Sequence, residues 1–242
     1  MKFGIVSDIH GNLEALEAVV RLLREHGARQ FICCGDIVGY GPDPNRCVEV
    51  VRNLGCTCVA GNHDLAATGS VSTDRFNSAA ASAVMWTRPL LSEENRLYLD
   101  SLPLTVRNDS LFIVHASPSA PDVWKYVLTT RDAACEMEYC PGPVCIVGHS
   151  HVPMVVERLP GKPVRHVRQD EFTLRPGATY FINAGSVGQP RDGDPRACGL
   201  LYDSDGPSMT RYRVTYDIAA VQDKMHSAGL PESLASRLES GR

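Results

Sequence analysis

Residues 1–40 read MKFGIVSDIHGNLEALEAVVRLLREHGARQFICCGDIVGY. A short apolar strand, Phe3 to Ser7, runs into the polar triplet Asp8-Ile9-His10. Asn12 stands where a helix N-cap belongs, because its side-chain oxygen can accept from the free amides of the first turn. Leu13 to His26 carries leucine, alanine and valine at helical spacing, and Gly27 is placed to end the helix. A second apolar strand, Phe31 to Cys34, runs into Gly35-Asp36. Strand, helix, strand in that order calls for a right-handed crossover between parallel strands, so the fold class is α/β.

Outward from this stretch the pattern repeats. Asn45 to Leu54 is a second amphipathic helix stopped by Gly55, and Cys56 to Ala60 is a third strand that ends in Gly61-Asn62-His63-Asp64. Helices are expected over Asp74 to Thr87 and from Ser92 to Leu102, where Pro103 closes the second. Leu111 to Val114 is a strand ending at His115, and Val144 to Val147 is a strand ending at Gly148-His149-Ser150-His151. Beyond His151 come short strands: Met154 to Arg158, Val164 to Arg168, Glu171 to Leu174, Tyr180 to Ala184, Cys198 to Asp203 and Met209 to Val214. Pro160-Gly161, Pro176-Gly177, Asp192-Gly193 and Asp205-Gly206 punctuate them as turns. This half reads as an antiparallel meander that extends a second sheet. A last helix is expected over Asp217 to Ser227, and the tail 231–242 is expected to be weakly held. No repeat or low-complexity linker interrupts residues 1–242, which read as a single domain.

Composition narrows the function classes. An apolar fraction of 43% and a charged fraction of 21% are ordinary for a globular protein. The net charge is −4 and the basic residues are scattered, so there is no nucleic-acid signature. No apolar run reaches bilayer-spanning length and no leader precedes the first strand, so a cytoplasmic protein with no membrane partner is expected. The nine cysteines fall largely inside apolar runs and read as small core residues. Oligomeric state is left open.

The polar clusters at the strand ends carry the chemistry. Groups just past the carboxyl ends of strands in an α/β sheet converge on one crevice. Two residues apart on extended backbone, Asp8 and His10 are expected to point the same way, and so are His149 and His151. Asp8, His10, Asp36, Asn62, His115, His149 and His151 offer carboxylate, amide and imidazole donors suited to divalent metals. Seven donors exceed one tetrahedral zinc site and suit two ions that share a bridging carboxylate. Two adjacent ions are a recurring solution for phosphoester hydrolysis.

The order Asp-x-His, Gly-Asp, Gly-Asn-His-Asp, a lone His and Gly-His-x-His resembles the calcineurin-like metallophosphoesterase superfamily. The block Asn183 to Arg191 is similar to one found in its small bacterial and archaeal phosphodiesterases. The resemblance implies two mixed β-sheets packed face to face as a sandwich and flanked by helices, in four layers α/β/β/α. It implies two divalent ions, manganese first, with Fe, Zn, Ni or Co also suited. Asp8, His10 and His151 would hold one ion, Asn62, His115 and His149 the other, and Asp36 would bridge them. It further implies a phosphodiesterase that acts by in-line attack of a metal-bridging hydroxide, with His63 assisting the leaving group and Asp64 orienting His63. Asn62 and His63 would also meet the substrate, a small-molecule or nucleotide phosphoester. Tyr40 is read as a base-stacking or loop-covering residue, and Arg191 as a phosphate or surface contact. Glycines 39 and 41 are expected to leave room for substrate. The serine/threonine phosphatases of the superfamily carry an Arg after Gly-Asp, and Gly35-Asp36-Ile37-Val38 has none. A phosphomonoesterase or nucleotide phosphatase with the same site, and a non-catalytic metal-binding scaffold, are the alternatives.

Overall fold

A computed structural model of the chain describes residues 1–108 and 110–242. Its strands form two six-stranded sheets. The first runs in the order β3 (Thr57–Cys58), β2 (Gln30–Cys33), β1 (Lys2–Val6), β11 (Ala197–Asp203), β12 (Ser208–Val214), β9 (Glu171–Thr173). The second runs β4 (Thr105–Arg107), β5 (Leu111–Val114), β6 (Val144–Val147), β10 (Thr179–Asn183), β7 (Met154–Arg158), β8 (Arg165–His166). β1, β2 and β3 are parallel, as are β5, β6 and β10, while the flanking pairs are antiparallel. Both sheets are therefore mixed.

Side-chain alternation builds the layers, since successive strand residues face opposite sides. Ile5 and Ile32 pack with Ile113, Ile146 and Ile182 in the core between the sheets. Their neighbours Val6 and Cys33 face the other way, onto Leu16, Val19 and Val48 of α1 (Leu13–Glu25) and α2 (Pro44–Asn53). Phe112, Val147 and Phe181 do the same on the far side, against Ala133 of α6 (Thr130–Glu136). The order is helix, sheet, sheet, helix. α1 forms as its sequence dictates: Asn12 accepts from Ala15 N at 3.1 Å, and Ala15, Leu16, Val19, Val20 and Leu23 make one buried face. Each buried leucine or valine there contributes roughly 1.5–3 kcal/mol. Cys33, Cys34, Cys47, Cys58, Cys145 and Cys198 are free and buried. Among the described residues no helix is long and apolar enough to cross a membrane.

Two expectations are corrected. The late strands are not one meander. β7, β8 and β10 complete the second sheet, but β9, β11 and β12 cross to the first, where β11 takes the open edge of β1. The turn residues mark where strands end and carry no information on which sheet receives the next one. The tail 231–242 is also not loose. It forms α8 (Glu232–Ser240), whose Leu234, Ala235 and Leu238 are buried against Val221 and Met225 of α7 (Ile218–Ser227) and beside Tyr40. Those three positions lie on one helical stripe, and their burial outweighs terminal fraying.

Glu157 on β7 is 2% exposed, and its carboxylate accepts from Tyr180 Oη at 2.6 Å and Arg175 Nε at 2.8 Å and pairs with Arg165. Burial disfavours its charge, but Arg165, Arg175 and Tyr180 hold it down to about 2. A carboxyl depressed on folding stabilises above its ordinary value of 4.5, and that stabilisation is lost as pH falls toward 2. Glu157→Gln is expected to cost about 1–2 kcal/mol at pH 7, discounted because both arginines are half-exposed. Urea titrations should show the gap between the two proteins close between pH 4.5 and 2; a gap independent of pH would contradict this.

Candidate active site

The chain turns sharply after β1. Asp8 and His10 adopt left-handed backbone at φ 52° and 51°, and His149 and His151 do so at 66° and 59°. Neither pair projects from extended backbone, so that expectation is corrected. Asp36 and Tyr40 share the conformation, at 55° and 59°. Left-handed backbone costs an ordinary residue roughly 1 kcal/mol or more, and neighbouring loops hold it in place. Asp8 N donates to Gly35 O at 3.0 Å, His10 N to Asp36 O at 3.0 Å, Gly148 N to His115 O at 2.9 Å and Gly188 N to Asp8 O at 2.9 Å. Gly61 and Gly148 are required by close approach: a Cβ on the first would overlap the Asp36 carboxylate, and on the second Ser7 and Asp8.

The loops bring six of the seven predicted donors into one buried cage, and Asn62 lines the adjoining cavity beside His63 and His149. Asp8, His10 and His151 offer ligand atoms within 4.8 Å of one another, as do Asp36, His115 and His149. A third set, His10, Asp36 and His63, joins them. Asp36 Oδ2 lies 3.3 Å from His115 Nε2 and 3.6 Å from His10 Nε2; His151 Nε2 lies 3.3 Å from Asp8 Oδ1. Asn62 and His63 open α3 (Asn62–Thr68), a short helix that the sequence reading missed, and His63 N donates to Asp36 Oδ1 at 2.9 Å.

Three backbone carbonyls orient the rings. His10 Nδ1 meets Val38 O at 3.1 Å, His115 Nδ1 meets Cys34 O at 2.7 Å and His151 Nδ1 meets Gln189 O at 2.6 Å. A carbonyl only accepts, so each Nδ1 carries a proton, and each ring when neutral turns a lone pair inward at Nε2. His10 and His151 then face each other, Nε2 to Nε2, at 3.0 Å. Asn62 Oδ1, His115 Nε2 and His149 Nε2 are buried without a hydrogen-bond partner. Converging lone pairs and carboxylates repel unless a cation lies among them, so the donor set fits divalent metal.

Four of the five rings are held neutral, and His115 is held charged by Asp36 until a metal replaces its proton. Burial holds the His10 ring well below its usual range and lowers His151, and it takes His63 down to about 4 and His149 to about 3. Burial also lowers His115, but the Asp36 carboxylate outweighs it and lifts the ring to about 9. Burial disfavours both carboxylates, yet His151 and His115 hold Asp8, and His115 and His63 hold Asp36, well below the usual carboxylate range.

Other predicted residues fall differently. Asp64 does not meet the His63 ring. It accepts from the amides of Asp36 (2.8 Å), Ile37 (2.8 Å), Val38 (3.1 Å) and Gly61 (3.0 Å), so it holds the Asp36 loop in place. Burial and the Asp36 charge push its carboxyl up to about 7, against these amides. Glycines 39 and 41 leave no room for substrate: a Cβ on Gly39 would lie 2.5 Å from His63 Nδ1, and one on Gly41 would overlap His10 O. Tyr40 is 6% exposed and packs between His10 and His63, at 4.4 and 4.5 Å between ring centres. Arg191 donates to Tyr40 Oη at 3.3 Å and Gln189 Oε1 at 2.8 Å. Asn183 caps a turn at Gly185 N and also donates to Gly148 O at 2.6 Å, which braces the His149 loop.

A cavity of about 380 Å³ adjoins the cage, lined by Asn62, His63 and His149 with Phe76, Trp124 and Tyr126. No sequence motif marks Phe76, Trp124 or Tyr126. A groove of about 510 Å³ between α1 and α2, lined by Arg21, Val50 and Leu54 among others, contains no candidate site residue.

Residues 1–206 match the calcineurin-like phosphoesterase superfamily domain, and the chain belongs to that superfamily. Membership implies a hydrolase that uses divalent metal. An uncharacterized protein of Methanocaldococcus jannaschii is 40% identical over 98% of this chain and 97% of its own length. The crystal structure of a metallophosphoesterase from Sphaerobacter thermophilus is 42% identical, with a TM-score of 0.87 over 100% of this chain and 99% of that one. The phosphodiesterase YfcE of Escherichia coli is 24% identical over 83% of this chain and 87% of its own.

Proposed function

We propose that the protein is a phosphodiesterase with a two-metal site. Asp8, His10 and His151 would hold one ion and Asn62, His115 and His149 the other, with the Asp36 carboxylate available to both. The observation that carries this reading is the set of inward lone pairs: His10 Nε2 and His151 Nε2 at 3.0 Å, with Asn62 Oδ1, His115 Nε2 and His149 Nε2 unpartnered. Manganese is the proposed metal, and iron, zinc, nickel or cobalt meet the same donors. When bound, the ions supply positive charge against the phosphoryl oxygens and acidify water.

The chain's own residues do the rest. His63 stands outside the two proposed donor sets, and its Nδ1 is buried without a partner. Burial keeps it neutral, and an anionic phosphoryl group beside it favours its protonated form. It then gives that proton to the departing oxygen. Asp64 acts through Asp36 by fixing its loop. Arg191, braced by Gln189 and Tyr40, adds positive charge on the His10 side. Preference for a diester is supported by the relative named a phosphodiesterase and by the absence of an Arg after Asp36.

Manganese-loaded protein should hydrolyse bis(p-nitrophenyl) phosphate with a higher kcat/KM than p-nitrophenyl phosphate. Cleavage of the monoester alone would overturn the diester reading. No turnover with any of the five metals would favour a non-catalytic scaffold.

A further inference from the structure

The 380 Å³ cavity beside the cage has an aromatic wall that the metal chemistry does not use. Each wall residue sits directly on a site histidine. Phe76 lies 4.8 Å from His63, Tyr126 stacks on His149 at 4.2 Å and 23°, and Trp124 meets His115 edge-on at 5.9 Å. Shielding the histidines does not account for the wall, because Tyr126 leaves 54% of its surface exposed. Trp124 holds left-handed backbone at φ 58°, a conformation that glycine or asparagine adopts at lower cost. Its indole is kept at this bend at the expense of local strain. Arg75 lines the same cavity, exposed and with no carboxylate in ion-pair range among the described residues, whereas Asn77 Oδ1 is taken up capping α4 (Ser78–Thr87). The volume lies at the small end of the range for ligand pockets, roughly 300–1,000 Å³, and suits one nucleoside rather than a duplex.

We infer that Trp124 and Tyr126, with Phe76, form a stacking site for the base of a nucleotide phosphoester whose phosphoryl group lies at the cage. The inference rests on the phosphoesterase reading and deepens it to a substrate class. Stacking on aromatic faces tolerates any base, since every base offers a π-face. Around the aromatic faces the cavity adds Arg75 and the Asn77 amide rather than a convergent set of donors and acceptors, so the site distinguishes nucleotides from sugar phosphates more than one base from another.

Calorimetric titration of the manganese-loaded protein with AMP and with ribose 5-phosphate isolates the base. AMP should bind at least about tenfold tighter than ribose 5-phosphate. Trp124→Leu and Tyr126→Leu should each shrink that ratio severalfold, and Trp124→Phe, which keeps an aromatic face, should retain most of it. Equal affinity for the two ligands in a protein that turns over bis(p-nitrophenyl) phosphate would overturn the inference alone. So would a ratio unmoved in folded leucine variants. Absence of binding by either ligand together with absence of turnover would overturn the phosphoesterase reading and the inference with it.

Discussion

His63→Ala is expected to lower turnover of bis(p-nitrophenyl) phosphate by about 10²-fold, and of a diester with an alkyl leaving group by up to about 10⁴-fold. A positioned general acid contributes within that range, and it contributes most where the departing oxygen is most basic. p-Nitrophenolate leaves with little help from a proton, whereas a ribose oxygen needs one. The leaving-group dependence separates proton donation from simple charge stabilisation, which would reduce both substrates alike. Metal content should not change, since His63 belongs to neither proposed donor set. This point is decisive because His63 also lies within ligand range of His10 and Asp36. Loss of an ion in the variant would make His63 a ligand. His63→Phe, which keeps an aromatic ring but has no proton to give, provides a second variant should removal of the ring loosen its packing on Tyr40 and Phe76.

Asp36→Asn should abolish both tight metal binding and turnover. The amide keeps an oxygen to accept from His63 N, so the loop remains formed. It removes the one carboxylate proposed to serve both ions. Unfolding midpoints report this without an activity assay. A ligand at a hundred times its Kd stabilises a folded protein by about 2.7 kcal/mol, so manganese should raise the midpoint of the parent protein. The Asn variant should show little or no rise. Without metal the variant should unfold somewhat earlier than the parent, because the fold holds Asp36 ionised against the His115 ring. An equal rise in both proteins would remove Asp36 from the bridging position.

The donors were legible in the sequence because each stands within a few residues of an apolar run that could only be a buried strand. Asp8, Asp36, Asn62 and His149 follow β1, β2, β3 and β6, and strand ends converge whatever the details of the turns. The details were not legible. The left-handed backbone at Asp8, His10, His149 and His151 is set by hydrogen bonds between loops distant in sequence. Asp64 was read as a partner of His63 because the two are adjacent. Apart from Gly61 N, its partners are backbone amides 26 to 28 positions away, which carry no side-chain signal. The crossing of β9, β11 and β12 into the first sheet depends on which edge is open, a property of the assembled sheet. The periodicity of α8 is present in Leu234, Ala235 and Leu238, but a stripe of three at a terminus does not say what it packs against. The aromatic wall escaped notice because Phe76 lies some 50 residues from Trp124 and Tyr126, and only the cavity joins them.

Anomalous scattering from crystals grown with manganese tests the two-metal account most directly. It predicts two peaks in the cage on either side of the Asp36 carboxylate, one among Asp8, His10 and His151 and the other among Asn62, His115 and His149. A single peak, or two peaks with Asp36 bound to neither, would contradict it.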